Sequence, residues 1–309
     1  MILSVTMNPS VDISYALDSF KLNDVNRVDT VRKTAGGKGL NVARVISQMG
    51  SPVLATGVLG GTLGEYIVQE LNRDRIRNDF LKMDQESRNC IAILHEGLQT
   101  EILESGPTLS LGEGDAFLKK FEGLLAEGVS LVTISGSLPK GLDQDYYHQM
   151  LQICRGKGIP AIVDTSVEAL KQVLLHEEKP FAIKPNAAEL SQLLGVKAGD
   201  LGRALRDELF DGIEWVMVSL GSEGAFVRHG GDFFKVSIPK VEVVNPVGSG
   251  DATVAGLAVA LVSDQRSEDV LKTAMTAGVL NAMEAGTGSI DLDLFNHYFD
   301  LVKVEKVDG

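Results

Sequence analysis

Gly248-Ser249-Gly250-Asp251 stands directly before the apolar, helix-competent run ATVAGLAVALV. Two glycines and a carboxylate therefore sit at a helix N-terminus, where unpaired backbone N–H groups and the helix dipole favour an anion. Charge developing on a transferring phosphoryl group would be stabilised there, and Asp251 would take the proton of an attacking hydroxyl. The same string also reads as a helix cap with glycines that only turn the chain. Gly36-Gly37-Lys38-Gly39-Leu40-Asn41 precedes the helical pattern VARVISQMG and places glycines, a cation and an amide at a second helix start. It is not a Walker A loop, because Gly39 stands where Ser or Thr should follow the lysine. Lys184-Pro185-Asn186-Ala187-Ala188-Glu189 opens a third helix; Asn186 and Glu189 share one face and suit Mg²⁺, or form a capping box.

Lesser candidates end strands or flank them. Ser135-Gly136-Ser137-Leu138-Pro139 and Ser219-Leu220-Gly221-Ser222-Glu223-Gly224 supply hydroxyls and N–H groups, or are turns. Asp12, Arg27 and Arg88 lie in or beside polar–apolar alternating stretches, where a surface charge is the ordinary reading. The five histidines are scattered without paired spacing and are given no catalytic role.

The elements that must position these groups alternate. Apolar, β-branched runs predict buried strands at Ile2 to Thr6, Val53 to Val58, Leu131 to Ser135, Ala161 to Asp164, Phe181 to Lys184 and Trp215 to Ser219. Helical periods lie between them at Gly39 to Met49, Leu63 to Arg73, Asp115 to Ala126, Asp145 to Gly156 and Ala187 to Leu194. This alternation predicts an α/β fold with a mostly parallel sheet covered on both faces, its ligands at the carboxyl edge. The last third reads as helices, Asp251 to Val262, Ser267 to Ala285 and Asp291 to Val302, expected beside the sheet's edge. Residues 12–33 and 88–104 alternate polar with apolar and need no crossover, so they predict a small antiparallel lid projecting from a single domain of residues 1–309.

Composition excludes several functions. The 309 residues, 44% hydrophobic and 23% charged, are enough for a large core. With 29 basic against 42 acidic residues the net charge is -13, which opposes nucleic acid as a partner. Cys90 and Cys154 have no zinc spacing, no apolar run reaches the length of a membrane span, and the amino-terminal MILSVTMNPSVD is not a signal peptide. A soluble, cytoplasmic protein is expected. The strand Ile2 to Thr6 leads into Met7-Asn8-Pro9 rather than G-x-G-x-x-G, which argues against a dinucleotide-dependent oxidoreductase.

Taken in order, GGKGLNVA at Gly36 to Ala43, N-x-x-E at Asn186 to Glu189 and NPVGSGDATVAG at Asn245 to Gly256 resemble the ribokinase-like (PfkB) family of carbohydrate kinases over nearly the whole chain. The resemblance implies a three-layer ribokinase-like fold, with ATP and Mg²⁺ as cofactors. It makes Asp251 the base and the backbone of Gly248, Ser249 and Gly250 the anion hole. It puts Asp12, Gly36, Gly37 and Asn41 on sugar hydroxyls, and Arg27, Lys38, Arg88 and Ser137 on a phosphate that the sugar already carries. Lys184, Asn186, Glu189, Ser219, Gly221, Gly224 and Asn281 would surround the nucleotide and its metal. Cations for a second anion would be superfluous with a neutral sugar. The wording is most similar to members acting on tagatose 6-phosphate, then to those acting on fructose 1-phosphate. A homodimer through the lid is expected from family analogy and from the uncovered sheet. A catalytically silent sensor is a weaker reading, since it would need neither base nor metal site.

Overall fold

The first strand, Ile2–Thr6, shows how the layers arise. Ile2 belongs to the apolar core that contains Val42, Ile46 and Leu257, whereas Leu3 and Val5 belong to the core that contains Phe117, Phe121 and Met150. A strand buried on both faces needs helices on both, and a three-layer sandwich results. The structure, a computed structural model, describes residues 1–195 and 200–308.

The main sheet has eleven strands. Its parallel part runs Trp215–Ser219, Ala182–Ile183, Ala161–Asp164, Leu131–Ser135, Ile2–Thr6, Val53–Gly60 and Arg77–Asn78, with Leu81–Met83 paired farther along Val53–Gly60. Four of the expected strands have the expected ends; Val53–Gly60 is longer, and the Phe181 to Lys184 strand shrinks to Ala182–Ile183. Pro185 follows Lys184 directly and curtails pairing there.

The last third differs from expectation. Helix Ser249–Val262 packs over the sheet, against strands Ile2–Thr6, Leu131–Ser135 and Ala161–Asp164, with Lys38–Gln48 and Ser267–Met283 beside it. It has no polar stripe, and nearly every residue from Asp251 to Ala260 is buried, so only a central position satisfies it. The sheet's edge is taken by three antiparallel strands, Ala225–His229, Asp232–Ser237 and Lys303–Val307. The Gly230-Gly231 turn between two alternating runs is a hairpin signal for the first two.

The lid is a separate four-stranded sheet in the order Val31–Gly36, Ser10–Leu17, Arg88–His95, Leu98–Leu103. Its outer pairs are antiparallel, as expected; the central pair, Ser10–Leu17 with Arg88–His95, is parallel, with Asp12 opposite Cys90. Residues 18–30 form no strand, so the alternation in VNRVDTV enters the lid only at Val31.

Candidate active site

Lid and sheet edge enclose a cleft of about 550 Å³. Asp12 and Arg88 line it from the lid, Gly37, Lys38 and Asn41 from the glycine loop, and Lys184, Asn186, Glu189, Ser219, Gly248, Gly250 and Asp251 from the sheet edge.

Asp251 lies in the first turn of helix Ser249–Val262 and is only 7% exposed. Its N-cap, Gly248, has φ +86, and a side chain there would meet the Thr287 methyl at 2.6 Å, so only glycine closes this loop without strain. The Asn41 Nδ2 donates to Asp251 Oδ2 at 2.8 Å. Burial, with the Asp164 carboxylate adding to it, raises the Asp251 pKa to about 6, against the pull of Lys38, Asn41 and Lys184. Such a carboxylate is mostly ionised at neutral pH yet basic enough to take a hydroxyl proton in a transition state.

Asp164 is a site residue that the sequence reading leaves as the end of a strand. It is 3% exposed and lies between two ammonium groups, Lys38 Nζ at 3.5 Å and Lys184 Nζ at 3.7 Å. The available signal was a carboxylate closing a buried parallel strand at the edge where such folds bind ligands. Burial alone would lower the Lys38 pKa, but Asp164, Asp251 and Glu189 outweigh it and the net shift is upward. Lys38 therefore stays charged in the cleft.

The sugar side is built on Asp12, whose Oδ1 accepts from the Ser10 hydroxyl at 2.6 Å and whose pKa is raised by burial against Ser10, Arg88 and Arg44. Gly36 lies under it; an added Cβ would come within 2.0 Å of the Asp12 carboxyl, so this glycine shapes the site without touching the cleft. Arg88 lines the cleft but spends three donors on carbonyls, Nε and Nη2 on Asn8 O at 3.2 and 3.0 Å and Nη1 on Glu104 O at 2.9 Å. Two of its five N–H donors remain for a ligand. Arg32, absent from the sequence candidates, also lines the cleft, its guanidinium lying over Gly286.

Several of the candidate ligand-binding residues do not line the cleft. Arg27 is exposed in residues 18–30 and Ser137 is exposed past strand Leu131–Ser135; neither lines the cleft. Gly221 is exposed outside it, and Gly224, at φ +94, is a buried turn residue against the Val236 carbonyl. Asn281 is fully buried and spends its amide on the chain itself: Nδ2 donates to Val247 O at 2.9 Å, and Oδ1 accepts from Gly288 N at 2.8 Å. It supports the loop before Gly248. Its Nδ2 also reaches the Ser249 hydroxyl at 3.4 Å.

Asn186 and Glu189 form the cap of one reading and stand in the cleft where the other would need them. They form a reciprocal capping box, Glu189 N to Asn186 Oδ1 at 2.9 Å and Asn186 N to Glu189 Oε2 at 2.8 Å, yet both line the cleft. Glu189 keeps its second oxygen free of this box. That donor set fits a divalent cation held by one carboxylate, waters and phosphate oxygens. Among the described residues no three His, Cys, Asp or Glu side chains gather into an all-protein metal cage.

Residues 5–293 match the model of the pfkB family carbohydrate kinases. The chain belongs to the pfkB family. Its fold is shared with a candidate phosphofructokinase from Staphylococcus aureus (31% identity, all of both chains, TM-score 0.85). Phosphofructokinase-2 from Escherichia coli in complex with potassium is similar over 97% of this chain and 98% of that one, at 26% identity and TM-score 0.88. A candidate 1-phosphofructokinase from Thermotoga maritima is similar over 99% of each chain, at 26% identity and TM-score 0.86. Kinases of this family use ATP with a divalent cation, as the capping pair beside Lys184 accommodates. Among the described residues no helix is long and apolar enough to cross a membrane.

Proposed function

We propose that this pfkB-family kinase transfers the terminal phosphoryl group of ATP to the 1-hydroxyl of a ketohexose 6-phosphate, D-tagatose 6-phosphate foremost, giving the 1,6-bisphosphate and ADP. The observation that carries the reading is a buried carboxylate, Asp251, raised to about 6 at a helix N-terminus, in a cleft that also carries Lys38, Arg88 and Arg32. A neutral sugar gives three such cations nothing to bind; a sugar phosphate does, with charge-assisted contacts of about 1.5–3 kcal/mol each. MgATP supplies the phosphoryl group, and Asn186 and Glu189 are the residues that would hold its metal. Asp251 orients the attacking hydroxyl and takes its proton as the new O–P bond forms. The N–H groups of Gly248, Gly250 and Asp251 face the transferring group, the Ser249 N–H being spent on the Pro246 carbonyl at 3.3 Å, and Lys38 and Lys184 offset its charge. Positioning and electrostatics supply the rate.

Fructose 1-phosphate is the second reading, favoured by the similarity to the T. maritima protein. The test is kcat/KM for tagatose 6-phosphate, fructose 6-phosphate and fructose 1-phosphate with MgATP on one preparation. Preference for tagatose 6-phosphate supports the proposal; preference for fructose 6-phosphate keeps the 1-hydroxyl as acceptor and removes the tagatose assignment. Preference for fructose 1-phosphate reverses the sugar in the cleft, and binding of all three without turnover leaves a sensor.

The same proposal includes a cytoplasmic homodimer joined through the lid. Leu98 and Ile102 are exposed on one face of the lid's outer strand, Leu98–Leu103, where a second sheet would cover them. Sedimentation equilibrium showing a monomer at assay concentration would refute the dimer, and cell fractionation reads the compartment.

A further inference from the structure

Arg44 does not line the cleft, yet it touches two of the parts that must be aligned inside it. It lies one turn beyond Asn41 on helix Lys38–Gln48, and its side chain is 11% exposed. Nη1 donates to Asn41 Oδ1 at 3.1 Å and to the Thr287 carbonyl at 3.2 Å. Nη2 donates to the Ala35 carbonyl, and Nε meets Asp74 Oδ2 at 3.3 Å. One guanidinium thus joins the end of a lid strand, the glycine-loop helix and the loop whose Thr287 closes over Gly248.

The consequence turns on the Asn41 amide, which is 5% exposed and has little access to water. With Oδ1 committed to Arg44, only Nδ2 is available to Asp251. An amide fixed as a donor stabilises the ionised carboxylate. An amide free to flip would also accept a hydrogen bond from the protonated acid and stabilise that form instead. Arg44 removes the second option, because flipping Asn41 would set an NH₂ group against the guanidinium.

We propose that Arg44 is a positioning residue for phosphoryl transfer: it holds the Asn41 amide as a one-way donor to Asp251 and ties that amide to the loop behind Gly248. The inference rests on the reading of Asp251 as the base. The charged and titratable groups facing Asp251 are Lys38 from the glycine-loop helix, Asp164 from the end of strand Ala161–Asp164 and Lys184 beyond strand Ala182–Ile183. All three remain in an Arg44 variant, and Arg44 is not among the groups that shift Asp251 directly, so a change in Asp251 reports on Asn41.

The test is the pH profile of kcat, with MgATP and whichever ketohexose phosphate the wild type turns over fastest, for Arg44→Met, Arg44→Lys, Asn41→Ala and Arg44→Met/Asn41→Ala. Arg44→Met is expected to lower kcat on the order of tenfold, with the KM for MgATP changed less than about twofold. The acid limb should move to higher pH than in the wild type, since losing a donor to the ionised form raises the carboxyl. Arg44→Lys should fall between Arg44→Met and wild type, and it carries the test alone if Arg44→Met does not fold. Because Arg44 acts through Asn41, the double variant should show the limb of Asn41→Ala alone. A limb that stays in place, or shifts that add in the double variant, overturns the inference, including the case where kcat falls equally at every pH with a lowered Tm. Asp251→Asn separates the two levels: near-normal turnover there sinks the base reading, whereas a silent Asp251→Asn with an unmoved Arg44→Met limb sinks the Arg44 inference alone.

Discussion

Replacing Asp251 with Asn should remove activity and stabilise the fold, and the two effects have one cause. The carboxyl is raised from its ordinary 3.8 to about 6, chiefly by burial and then by Asp164. That displacement makes the ionised form about 3 kcal/mol less favourable in the folded chain than in the unfolded one, at about 1.4 kcal/mol per pH unit. Between pH 3.8 and about 6 the native state holds this proton while the unfolded state has lost it, so Asp251 lowers stability as pH rises through that window. Asp251→Asn keeps the shape, lets Asn41 retain an acceptor and deletes the charge. Lys38 and Lys184 keep Asp164 but lose part of their compensation, so the expected gain is about 1–3 kcal/mol at pH 8, or roughly 2–6 °C in Tm. The assay is calorimetric unfolding of both proteins from pH 3.5 to pH 8, alongside kcat. The Tm difference should be near zero at pH 3.5, where Asp251 is protonated folded or unfolded, and complete above pH 7. Turnover should fall by about 10²–10⁴. A variant no more stable than wild type at pH 8, or a Tm difference independent of pH, would refute the claim that Asp251 is held against its preference for water.

Lys38→Met removes the cation that Asp164, Asp251 and Glu189 keep charged; the sugar-phosphate KM should rise about 10–100-fold, with the ATP KM changed much less, in steady-state kinetics. An unchanged sugar-phosphate KM removes Lys38 from the phosphate site. Gly248→Ala places a methyl 2.6 Å from the Thr287 side chain at φ +86; the N–H groups before Asp251 should move, and kcat should drop on the order of a hundredfold while the chain stays folded by circular dichroism. Near-normal kcat would show that the loop tolerates a side chain and that its geometry is not what the reaction needs.

Much of this site is legible in the sequence because its parts are local. Gly248 to Asp251, Gly36 to Asn41 and Asn186 to Glu189 each place their groups within one turn of a helix start, so the strand–helix alternation alone sends them to one sheet edge. The groups that escape notice act across the chain. Asp164 acquires its role from Lys38 and Lys184, which reach it from two other segments, and Arg44 acquires its own from Asn41 and Thr287. Arg32 is one polar residue in an alternating strand until the lid folds over Gly286. Asn281 also acts across the chain: its neighbours in sequence give no sign that its amide bonds to Val247 and Gly288. The helices of the last third are found but displaced, because their periodicity says where they begin and not which face of the sheet they cover. The edge strands are interrupted by charged residues and lack the continuous apolar runs that mark the buried ones.

The charge pattern explains how a chain of net charge -13 can bind two polyanions. A cleft lined only with lysines would bury mutually repelling cations whose pKa values fall as they lose water. Here each lysine has a carboxylate beside it: Lys38 and Lys184 share Asp164, and Lys38 also feels Asp251 and Glu189. The carboxylates keep Lys38 protonated, and the lysines restrain the upward pull on Asp251, which burial and Asp164 would otherwise carry further. One network therefore keeps Lys38 charged and the base ionised at neutral pH. Removing any one member shifts the others, so the effects of Lys38, Asp164 and Asp251 substitutions belong to the network and do not add as independent contacts.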